Sequence, residues 1–382
     1  MTKSTFFFGM FMVLPLFFFA TLKCNALHAQ DTKMAVALFP TRAVLLQHTF
    51  DPVPFLIKFD GNASTSVSFD IPIPGDDWRR MPTEKISNEM TILAGFVHPK
   101  GPDHGMIQVK EYHPPYEMGP NDWLLWTLEQ GKMKIVATAG EGLAGPGPYF
   151  EALAASELTD DAHQEPIMMR AAVFRNGKSF IVVQCMASPE SYLNMAYSFG
   201  LAIHRFELHE MKPPLLIGQW DKYCLHSFCY TGPMPGPTSA TSADDAIKED
   251  TFPLALEGNR TGLLDITEIG SPLAQKTPAK IRINNILYIL TERQGMSFNQ
   301  DLVAFKGEHQ NLGGDAYYAR NEGLGADETA ISFFAFSWER DGKALLVYML
   351  TDAREKNPVA WMVNKRTFEI ITQSLSRKSK TQ

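Results

Sequence analysis

The sequence is poor in cysteine and in basic charge, and each shortage excludes a class of protein. Only four of the 382 residues are Cys, and none has the Cys-x-x-Cys spacing of a zinc knuckle, so a zinc module and a disulfide-dense scaffold are both excluded. Asp and Glu outnumber Lys and Arg by 42 to 35. This balance argues against unspecific nucleic-acid binding, because that attraction requires basic side chains that neutralise phosphates. The sequence also lacks the G-x-S-x-G, H-E-x-x-H and Walker motifs, and therefore offers no common catalytic signature.

Long apolar runs are also scarce, and the first one has the form of a secretory leader. Lys3 precedes the run Phe6–Leu22, and small residues follow at Ala26 and Ala29. The run holds 22 − 6 + 1 = 17 residues, which is at the lower limit for crossing a bilayer. We therefore predict a signal peptide over 1–29 and a periplasmic or extracellular protein. The alternative is that the leader stays uncleaved and anchors the protein in the membrane. If the leader is cleaved, we expect only peripheral membrane contact.

Internal similarity indicates a tandem duplication. Pro52–Gly75 aligns without gaps with Pro213–Gly236, an offset of 213 − 52 = 161 residues. Three later blocks keep the same order: Gly105–Pro115 with Gly262–Pro272, Asn121–Gly131 with Asn285–Gly295, and Arg175–Lys178 with Arg340–Lys343. Chance similarity would not keep four blocks in order. We predict copy one over 31–211, with an N-terminal extension, copy two over 212–376, and a disordered tail over 377–382.

Turn and capping signals recur at matching places in both copies. Asn176-Gly177 and Asp341-Gly342 each separate two strand-like runs and predict type I′ hairpins. Ser188-Pro189 and Asn357-Pro358 then predict the start of a helix after each hairpin. In copy one that helix carries a stripe of apolar residues three or four apart: Tyr192, Met195, Phe199, Ile203 and Phe206. Hairpins combined with covering helices predict an α+β fold with a mostly antiparallel sheet.

The opening of copy one resembles the PsbP-like family. The resemblance rests on Phe69–Trp78, which reads FDIPIPGDDW, on a mid-unit helix predicted to begin at Asn121 and end near Gly131, and on the hairpin and the closing amphipathic helix. It implies an α-β-α sandwich in each copy, with a central antiparallel sheet flanked by helices, and a non-enzymatic accessory or assembly role. Copy two departs from the pattern, because Pro237 stands where Asp76 would be and no Trp follows before Asp250.

Two patterns suggest ligand chemistry. Gly140–Gly145 fits G-x-G-x-x-G, but Pro146 prevents the helix that dinucleotide binding needs, so we expect a loop and no cofactor. The second pattern is a possible metal site. If the loop between two strands folds back, it brings four side chains together: His98, His104, Glu111 and His113. No fixed zinc spacing supports this set. It would correspond to a metal-dependent hydrolase with one active and one degenerate copy, which is the alternative function.

The leading hypothesis is a non-enzymatic exported accessory or scaffold protein of an envelope assembly, which binds protein partners through loops that differ between the copies. The most divergent segments are Ala139–Pro166 and Thr231–Asp250. Tyr149 and Phe150 stand in the first segment, where an exposed aromatic pair would anchor a partner. The competing interpretation is that both rings pack into their own domain. A carrier of a small hydrophobic ligand is a third possibility.

The cysteines that follow the leader leave their pairing open. They are Cys185, Cys224 and Cys229. Buried free thiols are the favoured interpretation, and a bond between Cys224 and Cys229 across a short turn is the alternative.

Overall fold

The computed structural model describes residues 37–50, 54–61, 67–98, 105–143, 148–156, 166–242, 246–271, 273–299 and 302–378. The chain forms two compact units. Unit 1 contains Met1–Glu111, Leu128–Phe174 and Ile181–Met211, and unit 2 contains Tyr112–Thr127, Arg175–Phe180 and Lys212–Gln382. The predicted signal peptide lies outside the described residues, and the domain limits inferred from the repeats remain a prediction.

Copy one builds a small sheet and a large sheet. Its strands are β1 (Phe55–Phe59), β2 (Phe69–Ile73), β3 (Arg79–Met81), β4 (Glu84–Lys85), β5 (Met90–Val97), β6 (Gly105–Tyr112), β7 (Met133–Leu143), β8 (Pro148–Ser156), β9 (Met168–Asn176), β10 (Ser179–Ala187) and β11 (Glu207–Leu208). Its helices are α1 (Arg42–Gln47), α2 (Pro120–Gln130) and α3 (Pro189–His204). The small sheet has the order β1-β2-β11, and the large one β3-β5-β6-β10-β9-β8-β7, with β4 also paired to β5.

Copy two repeats this arrangement. Its strands are β12 (Trp220–Cys224), β13 (Phe228–Pro233), β14 (Thr238–Thr241), β15 (Ile247–Leu256), β16 (Asn259–Ile269), β17 (Ser297–Phe298), β18 (Val303–Glu308), β19 (Asp315–Leu324), β20 (Ala330–Arg340), β21 (Lys343–Asp352) and β22 (Ser376–Arg377). Its helices are α4 (Leu273–Lys276), α5 (Ala279–Gln294) and α6 (Pro358–Ser374). The orders are β12-β13-β22 and β14-β15-β16-β21-β20-β19-β17, with β18 also paired to β19. The predicted α+β class with two similar, sheet-dominated copies is confirmed.

One aligned pair of glycines faces the closing helix in both copies. A Cβ on Gly105 would lie 2.5 Å from the Met195 sulfur of α3, and a Cβ on Gly262 would lie 3.4 Å from the Asn364 amide nitrogen of α6. Met195 and Asn364 are equivalent, since each stands six residues after the proline that begins its helix. The missing side chain at Gly105 therefore lets α3 approach the sheet closely. At Gly262 the distance to α6 is an ordinary contact, and the tight neighbour is the Leu350 carbonyl oxygen of β21, 2.4 Å from a Cβ at that position.

The closing helices begin as their capping signals predict. The Ser188 hydroxyl accepts a hydrogen bond from the Ser191 N–H, and the Asn357 side chain accepts one from the Ala360 N–H. The predicted apolar stripe also packs into the core: Tyr192, Phe199 and Ile203 of α3 are fully buried, Met195 is partly buried against the same cluster, and Phe206, which lies just beyond the end of the helix, is 1% exposed.

Helices α5 and α6 contact two consecutive residues of strand β20. Ile283 and Leu290 of α5 share a core cluster with Phe333. The rings of Trp361 and Phe368 in α6 lie 6.0 and 5.9 Å from the ring of Phe334. Successive strand residues point to opposite faces of a sheet.

The two predicted hairpins differ in their turns. Asp341 and Gly342 both have positive φ, at 55° and 72°, as a type I′ turn requires. In copy one, β9 ends at Asn176, so the turn falls on Gly177 and Lys178, and of these only Gly177 has positive φ. The type I′ prediction is wrong there because Asn176 belongs to the strand and lacks positive φ; its side chain accepts a hydrogen bond from the Lys212 N–H.

The first alignment block also needs a correction. Phe59 pairs with Phe69, while Tyr223 pairs with Tyr230. The structural counterpart of Phe59 is therefore Tyr223, three residues beyond the Trp220 that the gapless alignment gave, because copy two has a shorter loop between these strands. In that shorter hairpin Cys224 and Cys229 are direct cross-strand partners and form a disulfide. The favoured expectation of free thiols is wrong for this pair, whereas Cys185 is free and buried.

Three segments expected to be loops or a tail are at least partly strands. Thr231–Asp250 contains the end of β13, all of β14 and the start of β15. In Ala139–Pro166, strands β7 and β8 pair with each other, and the G-x-G-x-x-G glycines Gly140 and Gly142 lie in β7. Arg377 pairs with Phe228 as part of β22, whereas residues 379–382 lie outside the described residues. The glycine and proline content of these segments therefore predicted longer loops than the structure contains.

Candidate functional site

The predicted aromatic anchors are buried. Tyr149 and Phe150 lie in β8 with relative exposures of 3% and 7%. The Tyr149 ring stacks on Phe174 with 5.1 Å between centroids. The prediction that both rings are exposed for a partner is therefore wrong, since the pairing of β7 with β8 and of β8 with β9 places them inside the fold.

The predicted metal set is not assembled in the part of the chain that the structure describes. His98 Nε2 lies 2.7 Å from an Asp77 carboxylate oxygen, Glu111 is in β6 and His113 follows that strand. Among the described residues, no group of three or more His, Cys, Asp or Glu side chains is arranged to hold a metal ion. His104 lies outside those residues, so the complete four-residue set stays a prediction.

The most unusual polar site is a buried cluster around Arg170 in unit 1. Arg170 in β9 is fully buried, and its Nε donates to Glu151 Oε2 of β8 at 2.9 Å. Its Nη2 lies 2.8 Å from the same oxygen and 3.1 Å from His204 Nε2 at the end of α3. The other ring nitrogen of His204, Nδ1, lies 2.6 Å from the Tyr149 hydroxyl. Two strands and one helix therefore converge on a single guanidinium.

The hydrogen bonds in this cluster fix the protonation of His204. Because Arg170 has only donors, Nε2 accepts, and we assign the ring proton to Nδ1, which then donates to the Tyr149 oxygen. Burial, followed by the nearby charges of Arg170 and Arg42, lowers the pKa of His204 to about 4. Burial also raises the pKa of Glu151, although Arg170 opposes that change. At neutral pH the imidazole is uncharged, and Arg170 and Glu151 form the ion pair.

The N-terminal segment covers this cluster. The Arg170 guanidinium carbon lies 4.4 Å from the centre of the Phe39 ring, within range of a cation–π interaction. Its Nη2 also donates to the Pro40 carbonyl at 3.1 Å. Leu45 of α1 is buried as well, close to Gly200 of α3. The polar core is consequently closed by residues that precede the first strand.

Copy two has aromatic residues where copy one has these charges. Arg170 stands six residues before the end of β9, and Phe334 stands six residues before the end of β20. The neighbouring strands β8 and β19 correspond in the same way: Leu153 of β8 pairs with Arg170, and Arg320 of β19 pairs with Phe334. Two residues earlier in those strands are Glu151 and Tyr318. The buried ion pair therefore belongs to copy one alone.

Copy two has an exposed apolar stripe on helix α5. Ile281, Tyr288 and Ile289 are 46%, 67% and 36% exposed. A spacing of seven or eight residues places them on one side of the helix. The opposite side packs through Ile283 and Leu290 into the sheet core. A helix that is apolar on two sides normally has both covered, so this stripe, the α5 face, is a candidate interaction surface.

A small cleft of about 220 Å³ lies beside the disulfide hairpin of copy two. Its lining includes His226, Ser227, Lys248, Glu268 and Lys343. Lys343 donates to the Ser227 hydroxyl at 2.6 Å, and the Ser227 N–H donates to Glu268 at 2.9 Å. This charged lining suits a hydrophobic ligand poorly, and so gives no support to a carrier function.

The sequence contains a signal for the Arg170 cluster, although no motif or spacing rule identified it. Glu151 is the one charged residue in the strand PYFEALAAS, and the neighbouring strand holds Arg170 in MMRAAVFRN. That strand also carries Arg175, next to its last residue. Charges of opposite sign in adjacent apolar strands favour a buried pair, because burying either charge without a partner is costly. Register decides whether they meet, and the sequence did not specify it.

Comparison with known proteins gives only distant likenesses. No protein-family profile matches the chain, and no curated protein matches it. Cyanobacterial PsbP (CyanoP) from Synechocystis sp. PCC 6803 is 12% identical over 44% of this chain and 99% of its own, with a TM-score of 0.29. LpqN, involved in cell envelope biogenesis of Mycobacterium tuberculosis, is 15% identical over 44% and 98%, with a TM-score of 0.28. Protein PA94 of Pseudomonas aeruginosa, of unknown function, is 14% identical over 39% and 96%, with a TM-score of 0.22. These scores are too low to carry a functional argument.

No helix among the described residues is long and apolar enough to cross a membrane.

Proposed function

We propose that this chain is an exported, non-enzymatic accessory protein made of two tandem PsbP-like units, which holds a protein partner of an envelope assembly on the α5 face. The single observation that carries the proposal is the exposed stripe of Ile281, Tyr288 and Ile289. Tyr is enriched in protein interfaces, and charged residues are depleted at their centres. Asn284 and Asn285 are the exposed residues between Ile281 and Tyr288, so the middle of this face carries no exposed charge.

Export is supported by two independent features. The apolar run Phe6–Leu22 behind Lys3 has the composition of a signal peptide. The Cys224–Cys229 disulfide fits a periplasmic or extracellular location, because such bonds persist in oxidising compartments and are rare in the cytosol.

A non-enzymatic role is supported by what the buried ionisable groups do. In unit 1, Arg170, Glu151 and His204 bind one another and the N-terminal segment. In unit 2, the buried Glu117 carboxylate accepts hydrogen bonds from Arg175 and from the Ile217 N–H. These residues are engaged in holding the fold together.

The α-β-α sandwich of the PsbP-like resemblance belongs to the same proposal. Its support in copy two is the alternation of Phe333, which shares a core cluster with α5, and Phe334, which contacts α6. That alternation favours one helix on each side of the large sheet.

The test is affinity capture of the tagged full chain from envelope extracts of the native host. We expect Ile281→Ser with Tyr288→Ser to lower recovery of a specific partner by about tenfold or more, since interface hot spots each contribute on the order of 2 kcal/mol. The matched control is Leu324→Ser, which removes another exposed apolar side chain of copy two, 44% exposed. Equal recovery with both variants, at equal thermal stability, would contradict the proposed surface.

A further inference from the structure

The contacts between the N-terminal segment and the Arg170 cluster are those of a ligand with its site. The segment supplies the Phe39 ring beneath the guanidinium and the Pro40 carbonyl that accepts from Nη2. It also supplies Leu45, which is 3% exposed, whereas the adjacent Leu46 is 66% exposed. Unit 1 therefore contacts one aromatic ring, one carbonyl oxygen and one apolar side chain of this segment.

The site itself is assembled by other parts of unit 1. Glu151 and His204 orient the Arg170 guanidinium from β8 and α3. Gly200 of α3 leaves room for it, because a Cβ there would lie 2.8 Å from Nη1 and 2.9 Å from a Leu45 methyl carbon. The guanidinium is thus positioned by residues outside the segment.

The segment has little structure of its own to hold it there. Helix α1 has six residues, and its N-cap residue Thr41 makes no side-chain capping bond. A helix this short is unstable in water without tertiary contacts. Side chains anchor it, with the His48 ring adding a contact 4.3 Å from that of Tyr197. Weakly held terminal segments open locally at low free-energy cost.

The site also retains hydrogen-bonding capacity while the segment is bound. Within the described residues, Arg170 Nη1 and the Tyr192 hydroxyl are buried and have no hydrogen-bond partner. Burial raises the pKa of the Tyr192 hydroxyl, and the Arg170 charge opposes that change. A buried guanidinium with an unused N–H favours occupants that bring carbonyl oxygens.

The geometry points to a peptide-binding site around Arg170, with the segment Leu38–Leu45 as its resident ligand. The class of ligand is a peptide with an aromatic residue and a proline, followed by an apolar helical turn. The source to which we commit is the same segment of a second copy of this chain, which takes the site when the resident segment detaches.

The experiment uses the full chain and a fluorescent synthetic peptide of residues 37–50. The double variant Phe39→Ala with Leu45→Ala weakens the resident segment and leaves the site intact, and the matched control is Leu46→Ala. Deuterium exchange reports detachment, and fluorescence anisotropy reports peptide binding. We expect exchange at residues 41–47 to rise by about tenfold or more in the double variant, because it removes a buried Leu and a ring contact. The peptide should bind that variant at least about tenfold more tightly than it binds the control.

Specificity is tested by changing the sequence of the peptide, so that no further residue of the protein core has to be replaced. A second peptide with Phe39→Ala should bind the double variant about tenfold more weakly or worse, because it lacks the ring that faces the guanidinium. The proposal is overturned if exchange does not rise, since the named contacts would then not hold the segment. It is also overturned if exchange rises and neither peptide binds below about 1 mM, or if both peptides bind equally.

Discussion

Loss of the Glu117 carboxylate should destabilise unit 2. The Glu117 side chain is 3% exposed, and its carboxylate accepts from Arg175 Nη1 at 2.7 Å and Nη2 at 2.9 Å, a bidentate pair. The Ile217 N–H donates at 2.9 Å, and Arg366 Nε lies 3.3 Å away. Glu117→Gln keeps the shape and removes the charge. Breaking a buried pair costs about 3–5 kcal/mol, and partial rehydration of Arg366, whose side chain is 19% exposed, reduces this estimate to about 3 kcal/mol.

Thermal unfolding followed by tryptophan fluorescence measures this effect. A loss of about 3 kcal/mol corresponds to a Tm that is lower by roughly 6–12 °C for a unit of this size. Glu355→Gln is the control, because Glu355 is exposed on the same unit, and we expect a change within about 0.5 kcal/mol. If Glu117→Gln unfolds within that same margin of the wild type, the carboxylate does not stabilise unit 2 and the reasoning is refuted.

Three further changes test other parts of the account. His204→Gln should reduce the loss of stability at acid pH. Unfolded His binds a proton near pH 6.5, but folded His204 stays neutral to about pH 4, so the stability of the wild type should decrease as the pH is lowered between these values, by up to about 1.4 kcal/mol per pH unit, less the opposing contribution of Glu151. Urea titrations at several pH values show whether the variant keeps this slope. Replacing Cys224 and Cys229 with Ser should cost about 2 kcal/mol and abolish any effect of reductant on the urea midpoint; a persisting effect would contradict the pairing. Gly262→Ala places a Cβ 2.4 Å from the Leu350 carbonyl oxygen and should cost about 1–3 kcal/mol or more, so an unchanged Tm would show that this close approach does not exist.

Local signals in the sequence predicted those elements whose cause is local. Ser188 and Asn357 cap their helices because each hydroxyl or amide oxygen reaches an N–H three residues later, a geometry fixed within one turn. Asp341-Gly342 forms its hairpin because both residues tolerate positive φ. The duplication was visible for the same reason, since repeated local signals keep their order.

Features that depend on register or on distant partners were not predictable in this way. Tyr149 was expected in a loop because glycines and prolines surround it, yet strand pairing on both sides buries it. Asn176 ends β9 instead of occupying the turn, and its side chain accepts a hydrogen bond from the Lys212 N–H, 36 residues later. The Arg170 cluster joins residues from 40 to 204, and only the folded register brings them together.

Site-specific photo-crosslinking in the native host tests the central claim, an exported accessory protein that binds its partner on the α5 face. A photoreactive residue replaces Tyr288 in the full chain, and the comparison places it at Leu324, which is also exposed. The account predicts a discrete crosslinked species of higher mass from position 288, found in the envelope or extracellular fraction and absent from position 324. No adduct at position 288, an equal adduct at both positions, or a crosslinked product confined to the cytosolic fraction would contradict it.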